Sequence, residues 1–226
     1  MIGKYRKNIE ELKEQVEKAC VRVRRDPGEV RIIAATKYTD GEGVRMIGEL
    51  GLSDFGENRA DELLKKKAYA REKAMWHFIG HLQSRKARDV VPEVEYIHSI
   101  DSLKILEKVG KEAAKCHKTQ KVLIEVNISG EETKYGLIPD NVIDFITKAE
   151  KIENIKLKGL MTMAPHSDDM EQIRVIFRQL RQLRDKVCRI KGAGSFSELS
   201  MGMSNDYIVA IEEGATMIRV GSSIFK

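Results

Sequence analysis

Apolar residues recur at steps of three and four from Tyr5 through Ile9, Leu12, Val16 and Ala19 to Val23, with charged residues between them. That spacing lines one face of a helix, which ends before Asp26-Pro27-Gly28 because that tripeptide is turn chemistry. Beyond it, short strand-like pieces, several of them solidly apolar, alternate with longer amphipathic stretches. The runs 32–36, 53–57, 76–80, 96–100, 122–127, 155–162, 198–200 and 217–221 read as strands, with 198–200 the shortest. Helical periodicity covers 42–50, 59–73, 102–116, 140–151, 169–188 and 205–213. Strands that are apolar throughout are covered on both faces, and alternation with helices makes them parallel. Eight strands within about 200 residues predict a closed (β/α)8 TIM barrel with an extra N-terminal helix, an open doubly wound sheet being the alternative. No repeat, low-complexity tract or linker divides the chain, so residues 1–226 read as a single domain.

Composition narrows the function classes. A net charge of +5, with 35 acidic among 40 basic residues, gives no concentrated basic face for nucleic acid. The stripe Arg174, Arg178, Arg181, Arg184 is interleaved with Ile173, Phe177, Leu180 and Leu183, which reads as an outer barrel helix with a solvated side. Cys20, Cys116 and Cys188 are odd in number and far apart, against a disulfide framework or a structural zinc site. The first residues lack the apolar core of a secretory signal, and no run is long enough to span a bilayer. A cytoplasmic protein without a membrane partner is the expectation.

In such barrels the working residues stand at the C-terminal ends of the strands. Those positions hold Lys37, Glu57, Asn58, His81, Gln83, Ser84, Asn127, Met161, Thr162, Ser200, Gly221 and Ser222. Lys37, closing the run Ile32–Ala35, adds nothing to core packing. Its amine can condense with an aldehyde, most readily when partly desolvated. Asn58 reads equally as a ligand or as a helix cap, and Ser102 as a cap. In RVGSSIF a glycine and two serines follow a strand directly, and LSMGMSND offers Ser200 and Gly202 next door; two donor-rich loops point to one phosphate. Arg219, inside the last strand, needs a carboxylate such as Glu125 or Glu198, or else a ligand heteroatom. His77 and His81 have metal-site spacing for a helix, but on a strand they lie about 13 Å apart, too far to share one ion.

The stretches AATKY, FGENRADE, WHFIGHLQSRK, IHSIDS, VLIEVNISGEETKYGL, GLMTMAP and ELSMGMSNDYIVAIEEGATMIRVGSSIF run in order through nearly the whole chain. They resemble the pyridoxal 5′-phosphate (PLP) homeostasis proteins of the YggS/PROSC type. The resemblance implies a barrel like the N-terminal domain of alanine racemase, PLP fold type III, with Lys37 as the Schiff-base lysine. It also implies that Ser200, Gly221 and Ser222 bind the cofactor phosphate, that Arg219 faces the pyridine nitrogen, and that Asn58 and Met201 are pocket neighbours. The sequence departs from the family pattern at Arg85, where relatives mostly carry asparagine. Arginine cannot accept a ring proton, so the ring beside it would be a weak electron sink. Racemases of this fold add a tyrosine from another domain as a second base, and neither Tyr38 nor Tyr135 is assigned that role by the sequence. The implied role is an intracellular PLP-binding and PLP-delivering protein, monomer or weak dimer, with apo PLP-dependent enzymes as partners and no sustained turnover. An amino-acid racemase of weak or narrow activity is the alternative. A cofactor-free Schiff-base aldolase acting on a sugar phosphate is a third reading.

Overall fold

In the computed structural model, which describes every residue except Glu132, Ala193 and Ser195, the chain winds eight times from strand to helix. The strands are β1 Arg31–Ala35, β2 Asp54–Glu57, β3 Met75–Phe78, β4 Tyr96–Ile100, β5 Gln120–Glu125, β6 Ile155–Met161, β7 Glu198–Met203 and β8 Met217–Val220. They pair in parallel in sequence order, and β8 closes the barrel on β1 through the pairs Ile32–Ile218 and Ala34–Val220. The helices are α1 Ile2–Arg22, α2 Gly41–Glu49, α3 Ala60–Lys67, α4 Ala87–Val90, α5 Leu103–Lys115, α6 Val142–Ala149, α7 Met170–Lys191, α8 Tyr207–Glu212 and α9 Ser222–Phe225. The closed barrel, the N-terminal helix and all eight expected strands are present, with ends displaced by a few residues. The short helices α4 and α9 were not expected, because four residues are too few to show a helical period.

Alternation along each strand divides the core in two. Ala34, Phe55, Phe78, Ile97, Val122, Ile124, Leu160, Leu199, Ile218 and Val220 face the helices. Ile33, Tyr96, Leu123, Met161 and Met217 form a separate apolar cluster. Asp54, His77, His98, Ser200 and Arg219, all buried, belong to neither.

Helix α1 buries Tyr5, Ile9, Leu12, Val16, Ala19 and Cys20 and packs on α8 and α9. Tyr5 meets Phe225 edge-on at 5.5 Å, and the Asn8 side-chain amide donates to the Ile224 carbonyl at 2.9 Å. The first helix thus anchors the closing turn at Gly221–Ser223.

On α7, Ile173, Phe177 and Leu180 are buried as expected. The arginine stripe is less solvated than its spacing suggested. Arg174, Arg178 and Arg181 all come within 4 Å of Glu213, itself 6% exposed, so they tie α7 to α8. Arg184 instead donates to the Ser197 carbonyl. Among the described residues no helix is long and apolar enough to cross a membrane.

Candidate functional site

A cavity of about 560 Å³ opens at the C-terminal ends of the strands, lined among others by Lys37, Tyr38, Asn58, His81, Glu125, Ser204, Asp206, Arg219, Gly221 and Ser222. Lys37 sits in the 3-10 turn Thr36–Tyr38 that leaves β1. A buried ion pair fixes this turn. Glu57, at the end of β2, accepts from Lys66 of α3 at 2.6 Å and from the Thr36 hydroxyl at 2.6 Å. Its other oxygen accepts from the Asn58 amide at 3.1 Å, and Lys66 also donates to the Thr36 carbonyl at 2.9 Å. The two residues that carry Lys37 and Asn58 into the cavity are therefore held from beneath.

The Lys37 side chain is exposed rather than desolvated. Its amine lies 5.0 Å from the centre of the Tyr38 ring and makes no ion pair among the described residues. Asn58 borders the cavity and does not cap α3, whose N-cap is Arg59. Ser102 does occupy the N-cap of α5, without a side-chain bond.

At the end of β8 the amides of Gly221 and Ser223 both point at one oxygen, the Ser204 hydroxyl, at 3.1 and 3.3 Å. Two convergent amides beside a strand end form an anion cradle, and Ser204 Oγ stands where an anionic oxygen would sit. A Cβ at position 221 would fall 2.6 Å from the Tyr38 ring and 3.2 Å from the Ala35 carbonyl, so a side chain there would push the Tyr38 ring aside and crowd that carbonyl.

Arg219 reaches the cavity from the barrel interior. Its guanidinium donates to Ser200 Oγ at 2.6 Å and to the Thr162 carbonyl at 2.9 Å. The sequence left a carboxylate or a ligand heteroatom open as the partner of Arg219, and among the described residues no carboxylate pairs with it: Glu198 accepts from the Thr216 hydroxyl, and Glu125 makes no ion pair with it. Burial lowers the Arg219 pKa to about 10, opposed by the charges of Asp206 and Glu125, so it stays a cation at neutral pH. Burial raises the Glu125 pKa to about 7, Asp101 pushing the same way and Arg219 against it. Burial also raises that of Asp206, which accepts from the Met203 amide at 2.5 Å.

The cavity thus brings together Lys37, Asn58, Arg219, Gly221 and Ser222, but not Ser200 or Met201. Strand alternation turns Ser200 inward, where its hydroxyl meets Arg219 and lies 2.8 Å from His98 Nδ1. Met201 faces the other way, into the apolar layer under the helices. The hydroxyl that accepts from the Gly221 amide is that of Ser204, four residues on, beyond Gly202 at φ +94°. It was legible only as another serine in LSMGMSND. His77 is fully buried, whereas His81 stacks on Tyr135 at 3.9 Å over the cavity. Arg85 lies in a separate, more open depression and bonds Gln83.

A primary amine, a cradle for an anion and a buried guanidinium, all at the mouth of a (β/α)8 barrel, define a site for a phosphorylated carbonyl compound bearing a ring acceptor. The comparisons agree on the class. The family described as alanine racemase, N-terminal domain, matches residues 4–226. A pyridoxal phosphate homeostasis protein of Aquifex aeolicus is 40% identical, over 94% of this chain and 93% of its own length. Among solved structures, PipY of Synechococcus elongatus with PLP bound superposes with a TM-score of 0.83 at 29% identity, covering 93% of this chain and 100% of PipY. An alanine racemase of Clostridium difficile superposes at 0.76 with 15% identity, over 98% of this chain and 56% of the racemase, a likeness of fold. The chain belongs to the pyridoxal phosphate homeostasis protein family, built on the alanine racemase N-terminal domain fold.

Proposed function

We propose that this chain binds pyridoxal 5′-phosphate as a Schiff base on Lys37 and serves as an intracellular carrier that delivers it to apo PLP-dependent enzymes. The observation that carries the reading is one cavity lined by Lys37, Arg219, Gly221 and Ser204, the Ser204 hydroxyl being where the Gly221 and Ser223 amides converge. The residues fit the cofactor group by group. The Lys37 amine would hold the aldehyde, since condensation of the two releases water and leaves a C=N link. Ser222 and the Gly221 and Ser223 amides would hold the phosphate, the amides being free to donate to it once the Ser204 hydroxyl turns aside. Arg219 would donate to the ring nitrogen, and Asn58 and Tyr38 line the same cavity. When bound, the cofactor supplies an electron sink, and a guanidinium at the ring nitrogen leaves that sink weak, because arginine does not hand over its proton.

The residues here favour holding over turnover. Two-face proton exchange at a substrate carbon needs a second base across from the lysine. Of the two tyrosines lining the cavity, Tyr38 lies beside the Lys37 amine and Tyr135 is stacked on His81. Glu125 is an acid on the cavity wall, and it is the observation that keeps weak amino-acid racemase activity as a second reading. The two readings separate in one experiment. Holo-protein incubated with L-amino acids in deuterated solvent should show no sustained exchange at Cα and no D-enantiomer, while transferring PLP to an apo-enzyme faster than free PLP binds it. Sustained exchange with racemisation, and no accelerated transfer, would replace the carrier with an enzyme.

A further inference from the structure

The barrel interior carries a row of polar side chains that the cavity alone does not account for. Asp54 of β2 lies 3.0 Å from His77 Nε2, and His77 Nδ1 lies 3.0 Å from His98 Nε2. His98 Nδ1 is 2.8 Å from Ser200 Oγ, which accepts from Arg219 at 2.6 Å. At the far end Asp54 also meets Arg31 at 3.4 Å and Ser53 at 2.9 Å. The row crosses the barrel from the N-terminal end of β2 to the cavity. The neighbouring interior positions are filled by Ile33, Leu123, Met161 and Met217, so apolar packing was open to this space. Burying five polar groups contributes less to stability than such packing, unless their geometry serves something.

The two ends decide the direction of every bond. Arg219 can only donate, and the Asp54 carboxylate accepts. His77 must then offer Nε2–H to Asp54 and, when neutral, accept at Nδ1; His98 does the same one step on, and Ser200 donates to His98. In the opposite sense Ser200 Oγ would receive both Arg219 and His98, leaving its own proton without an acceptor among the described residues.

We propose that Asp54, His77, His98 and Ser200 form a one-directional hydrogen-bonded relay that positions the Arg219 guanidinium and aims its free N–H groups at the ring nitrogen of the bound cofactor. These are positioning residues, and the proposal rests on the ring contact of Arg219 put forward above. Desolvation lowers the pKa of His77, and that of His98 further, in keeping with two neutral rings.

Two measurements test it. The first compares affinity for PLP with that for its analogue carrying a ring carbon in place of the nitrogen. The wild type should prefer PLP by about ten-fold or more, the worth of a charge-assisted hydrogen bond. His98→Leu should lose most of that preference while its affinity for the analogue stays within about two-fold. A preference retained in His98→Leu overturns the relay. A wild type without the preference removes the ring contact and the relay with it, yet leaves the Lys37 and phosphate reading standing, since borohydride labelling of Lys37 reads that separately. The second needs no variant and no cofactor: ¹⁵N spectra of the imidazoles at neutral pH should show both rings neutral with the proton on Nε2. A proton on Nδ1 of either ring contradicts the proposed direction.

Discussion

Lys66→Met probes the support beneath Lys37. The Lys66 side chain is 6% exposed and its partner Glu57 1%, so solvent screens the pair very little. Methionine fills similar space but leaves the Glu57 carboxylate with the Thr36 hydroxyl and the Asn58 amide as its close donors. Removing one partner of a buried ion pair costs about 3–5 kcal/mol, because the remaining charge stays desolvated. For a chain of this length about 2–4 °C of melting temperature is lost per kcal/mol, giving a fall of about 10 °C. Adding Glu57→Gln removes the stranded charge while its amide oxygen still accepts from Thr36, so the double variant should recover about half of the loss or more. Guanidinium melts of the wild type, both single variants and the double variant form the cycle. A Lys66→Met loss below about 1 kcal/mol, or a double variant no more stable than Lys66→Met, would refute the view that this pair holds the lysine turn in place.

Three further outcomes follow from the site. The folded chain keeps Glu125 protonated up to about pH 7, against an ordinary value of 4.5, so its ionisation costs stability progressively between those values. Glu125→Gln should therefore stabilise the protein at pH 8 by up to about 3 kcal/mol and leave it unchanged at pH 4, as read from denaturant melts; an equal effect at both pH values contradicts this. His77 and His98 sit below their ordinary value of 6.5, facing Asp54, Arg31, Tyr96 and Arg219. The unfolded chain then binds protons first, and stability should fall as pH drops below 6.5, by up to about 3 kcal/mol per pH unit for the two rings. His98→Leu should flatten that slope, and an unchanged slope counts against it. Gly221→Ala places a methyl group 2.6 Å from the Tyr38 ring. Overpacking of about 1–3 kcal/mol at this point should weaken PLP binding about ten-fold or more, measured by titration, whereas unaltered affinity would remove Gly221 from the cradle.

The barrel was legible because several strands are covered on both faces and so show as apolar runs, as in Ile33–Ala35 and Val122–Ile124. Strand β7 was half hidden: Gly202 takes a positive φ and the pairing with β8 shifts between Ser200 and Met203, which breaks the apolar pattern after residue 200. The site was legible at Lys37 and Gly221, where a cation and a glycine stand against the logic of packing. The interior row was not. A histidine or aspartate on a strand looks solvent-facing in one dimension, and only closure of the sheet puts Asp54, His77 and His98 inside. For Arg219 the sequence left a carboxylate and a ligand heteroatom both open, because the Ser200 hydroxyl and the Thr162 carbonyl reach it only once the barrel closes.

The central claim is that Lys37 holds the cofactor. Purified protein mixed with PLP, reduced with borohydride, digested and analysed by mass spectrometry tests it most directly. One phosphopyridoxyl label is expected, on Lys37, and it is lost in a Lys37→Ala variant that still melts cooperatively. A label on another lysine, or equal labelling of Lys37→Ala, would contradict it.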